Sequence, residues 1–363
     1  MIYINGRFLT QKLTGVQRFA FEMVKGLLDI YKGEIKILIP PRDIDSSYDV
    51  ADWPIKVIGK LTNTLWEQID LPLFLIKNNK PLLISLVNTA PCFYKRQIVS
   101  ILDMTTFVNP AWFSFKFAHY YKLVVPLIAK NSLKIITISE HSKSDIIKFI
   151  NIPSEKVEVL HCAVSDKFIN KPNMEIAQKD FFNKKGLTVG QYILGVSSLD
   201  PRKNFQSLIE AFLTINTRLP LVIVGSKGKA FADNNLKSLI SDHDNIVFTG
   251  YVEDSELIQL YQSATCFVYP SLYEGFGMPP LEAMACGCPT IVSNTSSLPE
   301  VCGDASLYVN PTDIKGIKET IELAISDDPL RKSLTEKGDR RYKKFSWESS
   351  CYKLNDIIIQ NLI

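Results

Sequence analysis

Short apolar runs alternate with amphipathic segments along almost the whole chain, and this alternation restricts the fold more than any other feature. In the first half it predicts a helix over 17–29 and strands at residues 2–4, 34–39, 82–87, 97–102, 134–138 and 157–160. After a polar stretch over 170–190, it predicts helices over 205–214 and 254–264 and strands at 192–196, 220–224, 245–250 and 266–269. Strands that alternate with helices are typical of parallel sheets. The sequence therefore predicts an α/β protein with two Rossmann-like domains that face one another.

The chain length agrees with two domains, because single hydrophobic cores stop growing near about 250–300 residues and this chain has 363. We place an N-terminal domain at 1–175 and a C-terminal domain at 190–345. A final helix is predicted over 346–363, because apolar side chains recur there at helical spacing: Trp347, Cys351, Leu354, Ile358 and Leu362. Such domains bind ligands outside the carboxyl ends of their strands.

The composition favours a cytoplasmic protein. Seven cysteines, an odd number without a paired C-x2-C spacing, indicate reduced thiols. We expect no secretory signal, and no apolar run reaches the roughly 18 residues of a membrane-spanning helix. Residues 1–170 contain 21 Lys/Arg and 15 Asp/Glu, against 20 and 23 in the remainder. This basic first half suits a membrane surface or an anionic acceptor better than a nucleic acid.

Residues 273–290, Y-E-G-F-G-M-P-P-L-E-A-M-A-C-G-C-P-T, hold the strongest chemical signal. Gly275 and Gly277 allow close approach of the backbone to a ligand, or a positive φ. The prolines that follow predict a helix that begins near Leu281. The unpaired N–H groups at such a helix start favour a phosphate or a diphosphate.

Two carboxylates flank this predicted anion-binding site. Glu274 precedes the glycines and Glu282 lies eight positions later. An anion with hydroxyl-rich groups on either side, such as a nucleoside diphosphate sugar, would satisfy both carboxylates and the helix start. Each glutamate alone has a simpler explanation. Glu274 could be a solvated loop residue, and Glu282 could complement the charge of a helix N-terminus.

Two cations follow the predicted strand at 192–196. Arg202 and Lys203 lie between that strand and the next helix, so they are expected at a carboxyl strand end, where they can neutralise a diphosphate leaving group. In isolation, an Arg-Lys pair in a turn is more often a solvated surface.

These segments resemble the E-x7-E signature of retaining glycosyltransferases with the GT-B fold, family 4 (group 1), whose bacterial members build surface polysaccharides. Further similarity follows in family order: T-G-V-Q-R at 14–18, T-I-S-E-H-S-K at 137–143, L-D-P-R-K-N at 199–204 and S-S-L-P-E-V-C-G-D-A at 296–305. The resemblance covers nearly the whole chain and is most specific in the second half. It implies the GT-B architecture, with a C-terminal helix that crosses back to the N-terminal domain.

The resemblance also implies an activity. The enzyme would be a metal-independent, retaining hexosyltransferase that needs no cofactor. Its donor would be a GDP- or UDP-linked sugar, with GDP-mannose preferred, bound by the C-terminal domain. Its acceptor would be a lipid-linked oligosaccharide of O-antigen or capsule synthesis, bound by the N-terminal domain at the cytoplasmic face of the inner membrane.

The resemblance assigns roles to individual residues. Glu274 would bind the transferred sugar, Glu282 the ribose hydroxyls, and Lys203 with Arg202 the diphosphate. Asp103 would orient the acceptor or the sugar. Further donor contacts are implied for Gly15, Tyr251, Gly275, Phe276 and Gly277.

The chain departs from the family at three positions. Leu102 stands where relatives frequently have a histidine, Ser197 where many have an arginine, and Gly15 where two glycines are common. A GT-B epimerase or phosphorylase is an alternative function. A degenerate subunit that only binds a partner transferase is another, motivated by Leu102.

The remaining patterns are less specific. The D-x-D pairs at 43–45 and 242–244 are short enough to arise by chance, so we expect no metal site. No G-x-G-x-x-G follows a strand, which counts against a bound dinucleotide. The aromatic stretch 107–127, with interleaved lysines, fits a packed helix or a patch that rests on an anionic bilayer.

Overall fold

The computed structural model describes residues 1–170, 182, 187–225 and 243–362. The chain divides into two compact units. Unit 1 comprises Met1–Cys162 with Ser346–Ile363, and unit 2 comprises Ala163–Phe345.

Unit 1 contains a seven-stranded parallel sheet in the order β3-β2-β1-β4-β5-β6-β7. Its strands are β1 Ile2–Asn5, β2 Ile35–Ile39, β3 Ile55–Val57, β4 Leu82–Ser85, β5 Gln97–Ser100, β6 Lys134–Thr137 and β7 Val157–Val159. The strand order reverses at β1, where Ile2 pairs with Ile35 of β2 on one side and Leu82 of β4 on the other.

Unit 2 contains a six-stranded parallel sheet in the order β10-β9-β8-β11-β12-β13. Its strands are β8 Ile193–Val196, β9 Leu221–Val224, β10 Ile246–Gly250, β11 Cys266–Tyr269, β12 Thr290–Ser293 and β13 Ser306–Val309. The reversal lies at β8, which pairs with both β9 and β11. Both sheets thus have the doubly wound Rossmann topology, which confirms the predicted fold class.

Helices cover the sheets. In chain order, the first five helices are α1 Gly15–Ile30, α2 Asn63–Leu65, α3 Leu71–Lys77, α4 Thr105–Val108 and α5 Phe115–Asn131. They continue with α6 Glu140–Ile150, α7 Asp166–Ile169, α8 Phe205–Leu213, α9 Asp254–Ser263, α10 Met278–Ala285, α11 Leu298–Cys302, α12 Ile314–Ser326, α13 Asp328–Tyr342 and α14 Trp347–Leu362. Fully buried parallel strands are apolar runs in the sequence because helices cover both faces, which is why most of these strands were predictable.

The last helix belongs to unit 1. The Ser350 hydroxyl donates a hydrogen bond to the His161 carbonyl at 2.7 Å, and the Lys353 ammonium donates to the Val159 carbonyl at 3.0 Å. The buried Cys351 thiol lies 3.8 Å from the carbonyl oxygen of Glu22 in α1. The apolar face whose spacing predicted this helix therefore packs against α1.

Two sequence expectations need correction. The helix expected to begin near Leu281 begins at Met278. Pro279 and Pro280 fit its first turn because the first N–H groups of a helix have no intrahelical partner. The strands β3, β12 and β13 were not predicted.

Helix α5 covers part of the aromatic stretch. Ala118, Val125 and Ile128 are buried in the unit 1 core, whereas the side chains of Phe115 and Leu123 are exposed. One face is packed core and the other faces solvent.

Candidate active site

The candidate site lies at the carboxyl edge of the unit 2 sheet, where the strand order reverses between β8 and β11. A 3-10 turn, Pro201–Lys203, follows β8, and the glutamate loop, which we define as residues 270–277, follows β11. Adjacent parallel strands bring these two segments together. In doubly wound sheets this reversal point is where ligands bind.

The turn that carries the two cations is fixed at both ends. The Asp200 carboxylate accepts a hydrogen bond from the Arg202 N–H at 3.0 Å. Asn204 adopts the left-handed conformation, with φ of 58°, and its amide donates to the carbonyls of Pro270 at 3.0 Å and Pro311 at 2.7 Å. Asn204 therefore ties the cation turn to the glutamate loop.

Arg202, Lys203 and Glu274 meet as the sequence predicts. The Lys203 ammonium lies 2.7 Å from Glu274 Oε1, and Arg202 Nη1 lies 3.2 Å from Glu274 Oε2. Tyr269 completes the cluster, because its hydroxyl donates to Glu274 Oε1 at 2.9 Å and accepts from the Lys203 ammonium at 2.6 Å. We call these four residues the Lys203–Glu274 cluster.

The cluster is buried, so neither the solvated-loop nor the solvated-turn explanation applies. Glu274 is 6% exposed and Lys203 is 8% exposed, whereas the Arg202 side chain keeps 22% of its surface. Burial of a charge is unfavourable unless it is paired. Arg202 is therefore the most accessible cation of the cluster, and Lys203 is held by its partners.

The electrostatics keep Glu274 ionised. Burial alone would raise the pKa of Glu274, but the ammonium of Lys203 and the guanidinium of Arg202 outweigh it and hold that pKa at about 2. Burial lowers the pKa of Lys203, and the carboxylate of Glu274 opposes that change. Burial, with Glu274 nearby, raises the pKa of Tyr269, so its hydroxyl stays protonated.

Two serines shape the glutamate loop. The Ser296 hydroxyl accepts a hydrogen bond from the Glu274 N–H at 2.9 Å. The Ser297 hydroxyl lies 2.9 Å from the Glu274 carbonyl oxygen and 2.7 Å from the Phe276 carbonyl oxygen, and its single proton is shared between these two acceptors. Gly277 has φ of +121°, and a Cβ there would lie 2.8 Å from Leu298. The loop conformation thus requires glycine at position 277.

Phe276 lies within this loop and Glu282 in the helix after it, whereas Tyr251 lies three strands away in the sheet. Glu282 is the fifth residue of α10 and is half-buried, so it lies beyond the first turn rather than just inside the helix start. Phe276 is buried with its ring edge-on to Phe345, at 5.4 Å between centroids. Tyr251, directly after β10, is 66% exposed.

The predicted residues of unit 1 lie at its own carboxyl strand edge. Gly15 is the first residue of α1, and a Cβ there would meet no atom within 4 Å, so packing does not require glycine. Asp103 is half-buried and accepts hydrogen bonds from the Thr105 N–H at 2.9 Å and the Thr105 hydroxyl at 2.5 Å. Leu102 is a core residue, 2% exposed.

Within the described ranges, no group of three or more His, Cys, Asp or Glu side chains is placed to hold a metal ion. Asp45 of the first D-x-D pair accepts hydrogen bonds from Ser47 in a local turn. Asp242 of the second pair lies outside the described residues.

Sequence reasoning missed Tyr269 and the supporting role of Ser296 and Ser297. A tyrosine at the end of an otherwise apolar strand was the available signal for Tyr269, because a buried hydroxyl normally has a partner. The two serines lay within a family-like segment, but nothing local indicated that they bond to the glutamate loop.

Comparison with known proteins agrees with this geometry. Residues 177–341 match the family described as glycosyl transferases group 1. The chain is 34% identical over 271 residues to O-antigen chain mannosyltransferase B of Escherichia coli, covering 71% of this chain and 70% of that protein. It is 32% identical over 247 residues to O-antigen chain mannosyltransferase RfbU of Salmonella typhimurium, covering 67% and 65%.

One further relative is much longer than this chain. Serotype-specific mannosyltransferase WbdA of Escherichia coli is 32% identical over 225 residues, which is 60% of this chain but only 28% of WbdA.

Solved structures support the fold. Anabaena HepE, crystallised with UDP and glucose, superposes with a TM-score of 0.79 at 15% identity over 99% of both chains. WaaG, a glycosyltransferase involved in lipopolysaccharide biosynthesis, gives a TM-score of 0.73 at 15% identity over 99% of both chains. With the sheet topologies and the Lys203–Glu274 cluster, these relationships establish that the chain belongs to the glycosyl transferases group 1 family and has the GT-B fold.

Proposed function

We propose that the chain transfers a hexose from a nucleoside diphosphate sugar to a saccharide hydroxyl with retention of configuration. The supporting observation is the buried Lys203–Glu274 cluster at the strand reversal of unit 2. Because two relatives are named O-antigen mannosyltransferases, mannose is the proposed sugar and GDP-mannose the first donor to test.

The cluster suits a diphosphate leaving group. Arg202 would contact the diphosphate at the accessible side, and Lys203 has one ammonium proton beyond the two that bond to Glu274 and Tyr269. Fixed cations and the N–H groups at Gly275–Gly277 would stabilise the charge that develops as the bond to the sugar breaks. A divalent metal is then unnecessary.

The carboxylates would bind the hydroxyl groups of the donor. Glu274 would bind the transferred sugar and Glu282 the ribose, while Tyr251, Phe276 and Gly15 would line the donor site. For Gly15, the open space around its Cα is the support.

The proposed reaction needs no side-chain base. The bond between the anomeric carbon and the phosphate oxygen breaks, and the acceptor oxygen bonds to the same face of that carbon. The acceptor proton passes to the departing phosphate oxygen. Leu102, buried where relatives frequently have a histidine, is compatible with this route, and Asp103 would orient the acceptor.

The proposed acceptor is a lipid-linked oligosaccharide of O-antigen or capsule synthesis, reached from the cytoplasmic face of the inner membrane. No helix of the described part of the chain is long and apolar enough to cross a bilayer. Contact with the membrane would therefore be peripheral.

An apolar surface of unit 1 supports such contact. Exposed apolar side chains recur every three or four residues along α2, the π turn Trp66–Asp70 and α3. They are Leu65, Ile69, Leu73 and Ile76. Right-handed crossovers place α2–α3 and α5 on the same face of the sheet, because both connections run in the same direction across it. We call this surface, with exposed Phe115, Leu123 and Leu127 of α5, the apolar face of unit 1.

The charge around the apolar face complements an anionic bilayer. Residues 71–139 contain eight Lys/Arg and a single acidic residue, Asp103. Lys77, Lys80, Lys116 and Lys122 are exposed. Each base near an anionic surface contributes about 1 kcal/mol of attraction.

We expect the protein to sediment with phosphatidylglycerol vesicles and not with phosphatidylcholine vesicles. The double variant Leu73→Asp/Leu123→Asp should weaken vesicle binding at least about 10-fold. It removes apolar surface that would be buried in the bilayer, and it adds negative charge that the anionic lipid repels. Ile359→Asp, at an exposed position of α14, is the matched control. Equal binding by both variants would contradict a membrane role for the apolar face.

A thermal-shift screen across nucleotide sugars tests the proposed activity. A cognate donor at 100 times its dissociation constant should stabilise the protein by about 2.7 kcal/mol. Arg202→Ala should remove this shift, whereas Arg340→Ala, an exposed arginine of unit 2, should keep it.

The same screen separates the alternatives. No shift with any nucleotide sugar would favour a non-catalytic binding subunit. A new sugar nucleotide formed without acceptor, detected by NMR, would instead indicate an epimerase.

A further inference from the structure

A second buried polar cluster lies at the corresponding strand reversal of unit 1. Asn5 ends β1 and Ser85 ends β4, the two strands between which the order reverses. With Arg7, Glu67 and Thr89 they form what we call the Arg7–Glu67 cluster. Neither the family resemblance nor the proposed donor site assigns a role to any of these residues.

Contacts within the cluster converge on one carboxylate oxygen. Asn5 Nδ2 donates to Glu67 Oε1 at 2.8 Å, and Arg7 Nε lies 3.3 Å from the same oxygen. Arg7 Nη2 donates to the Thr89 hydroxyl at 2.6 Å. Glu67 is 0% exposed, whereas the Arg7 side chain keeps 11% of its surface. The cluster therefore fixes an arginine side chain that is not completely buried.

The geometry around Glu67 is unusual for a purely structural ion pair. Glu67 lies in a π turn, Trp66–Asp70. Such turns are rare in proteins, and those that occur often lie at functional sites. Its second carboxylate oxygen is buried without a hydrogen-bond partner among the described residues. A buried acceptor without a partner is unfavourable, so stability alone does not account for this arrangement.

The π turn is fixed at both ends. The Trp66 indole donates to the Ile58 carbonyl at 2.8 Å, and the Asp70 carboxylate accepts from the N–H groups of Lys60 and Leu61, both at 2.8 Å. These bonds hold Glu67, and through it Arg7, in one position.

The same edge carries further polar groups. Burial raises the pKa of Tyr121 to about 12, with Arg7 lowering it and Glu67 and Asp103 raising it, so all three charges lie near that hydroxyl. Asp103 follows β5, the strand next to β4. The ends of β1 and β5 thus supply a guanidinium and a carboxylate, and helix α5 supplies a tyrosine hydroxyl.

This set of groups fits a neutral, hydroxyl-rich ligand. Glu67 neutralises Arg7, so the cluster has no net positive charge to attract a phosphate. A guanidinium donates to hydroxyl oxygens, and a carboxylate accepts from hydroxyl groups. We propose that Arg7 binds the acceptor saccharide in unit 1 and that Glu67 is the positioning residue that holds its guanidinium. This inference rests on the proposed function.

The test measures glycoside binding and transfer separately. Octyl α-D-mannoside is titrated against the full-length protein by saturation-transfer NMR, with inorganic pyrophosphate as the anionic probe. Arg7→Lys and Glu67→Gln should weaken glycoside binding about 10- to 100-fold, the loss expected for a charge-assisted hydrogen bond. Arg42→Lys, an exposed arginine of the same unit, should bind like the wild type.

Donor measurements exclude a merely structural effect. Binding of GDP-mannose and its hydrolysis without acceptor should stay within about twofold of the wild type in both variants, while the acceptor KM rises. If Glu67→Gln unfolds more easily, Arg7→Lys decides the test, because it keeps the buried charge pair.

Each outcome has one meaning. A parallel loss of donor and glycoside binding in Arg7→Lys, no glycoside binding by the wild type, or Arg7-dependent binding of pyrophosphate instead would overturn the inference. Arg7-dependent glycoside binding by a protein that binds no nucleotide sugar would overturn the proposed function and support the inference.

Discussion

Replacement of Glu274 with glutamine should lower the free energy of unfolding by about 3–5 kcal/mol, the range measured when one partner of a buried ion pair is removed. Lys203, 8% exposed, would lose the anionic partner that opposes the effect of burial on its pKa. Transfer should fall below detection in the same variant. Urea unfolding and a transfer assay measure the two effects independently.

A triple variant separates the structural role of the cluster from its functional role. Lys203→Met, Glu274→Leu and Tyr269→Phe together remove both charges and the hydroxyl that bonds to them. Replacement of a buried ion pair by apolar side chains is often neutral or stabilising, and Arg202, which stays in this variant, keeps 22% of its side-chain surface for water. Stability should therefore return to within about 1 kcal/mol of the wild type, while transfer stays absent.

The exposed ion pair between Lys343 and Asp339, at 2.7 Å, supplies the control. Asp339→Asn should change stability by less than about 1 kcal/mol and leave transfer intact. If the stable triple variant still transferred sugar, the cluster would be structural only, and the proposed diphosphate site would be wrong.

The pH dependence of stability provides a further check on the same pair. The pKa of Glu274 is about 2 in the folded chain, below the ordinary value of 4.5. Its stabilising contribution is therefore complete above about pH 4.5 and is lost as the pH falls towards 2. This part of the acid destabilisation should be missing from the triple variant.

The predictable part of the fold is the part with a strong local pattern. Strands such as Ile193–Val196 are wholly apolar because the sheet is buried on both faces. The strands β12 and β13 escaped prediction because they begin with Thr290 and Ser306, whose hydroxyls bond to each other in the buried sheet. Polar strand ends of this kind look like loops until their partner is known.

The charged residues of the candidate site were predictable, whereas Tyr269 and the contacts between the side chains were not. Lys203 and Glu274 are 71 positions apart, so no local pattern joins them, and only the family resemblance placed both at one ligand. The start of α10 was missed because consecutive prolines permit a helix start at several positions. Nothing in the sequence around Glu67 indicated a π turn.

The second large effect is expected at Gly277. Gly277→Ala should destabilise the protein by about 2–3 kcal/mol, because its φ of +121° is strained for any residue with a Cβ. The added Cβ would also lie 2.8 Å from Leu298, which is fully buried and has little room to move. The glutamate loop must then shift. The transfer activity per folded molecule should therefore fall at least about 100-fold.

Gly287→Ala is the matched control for this substitution, because it keeps the backbone strain and omits the clash. Its φ is +81°, and a Cβ there would be 3.8 Å from Thr335, an ordinary contact. We expect a stability loss of about 1–2 kcal/mol and near-normal transfer by the folded fraction. If both variants lost transfer in proportion to stability, the shape of the glutamate loop would not control catalysis. A selective loss in Gly277→Ala would link the position of Glu274 to turnover, independently of its charge.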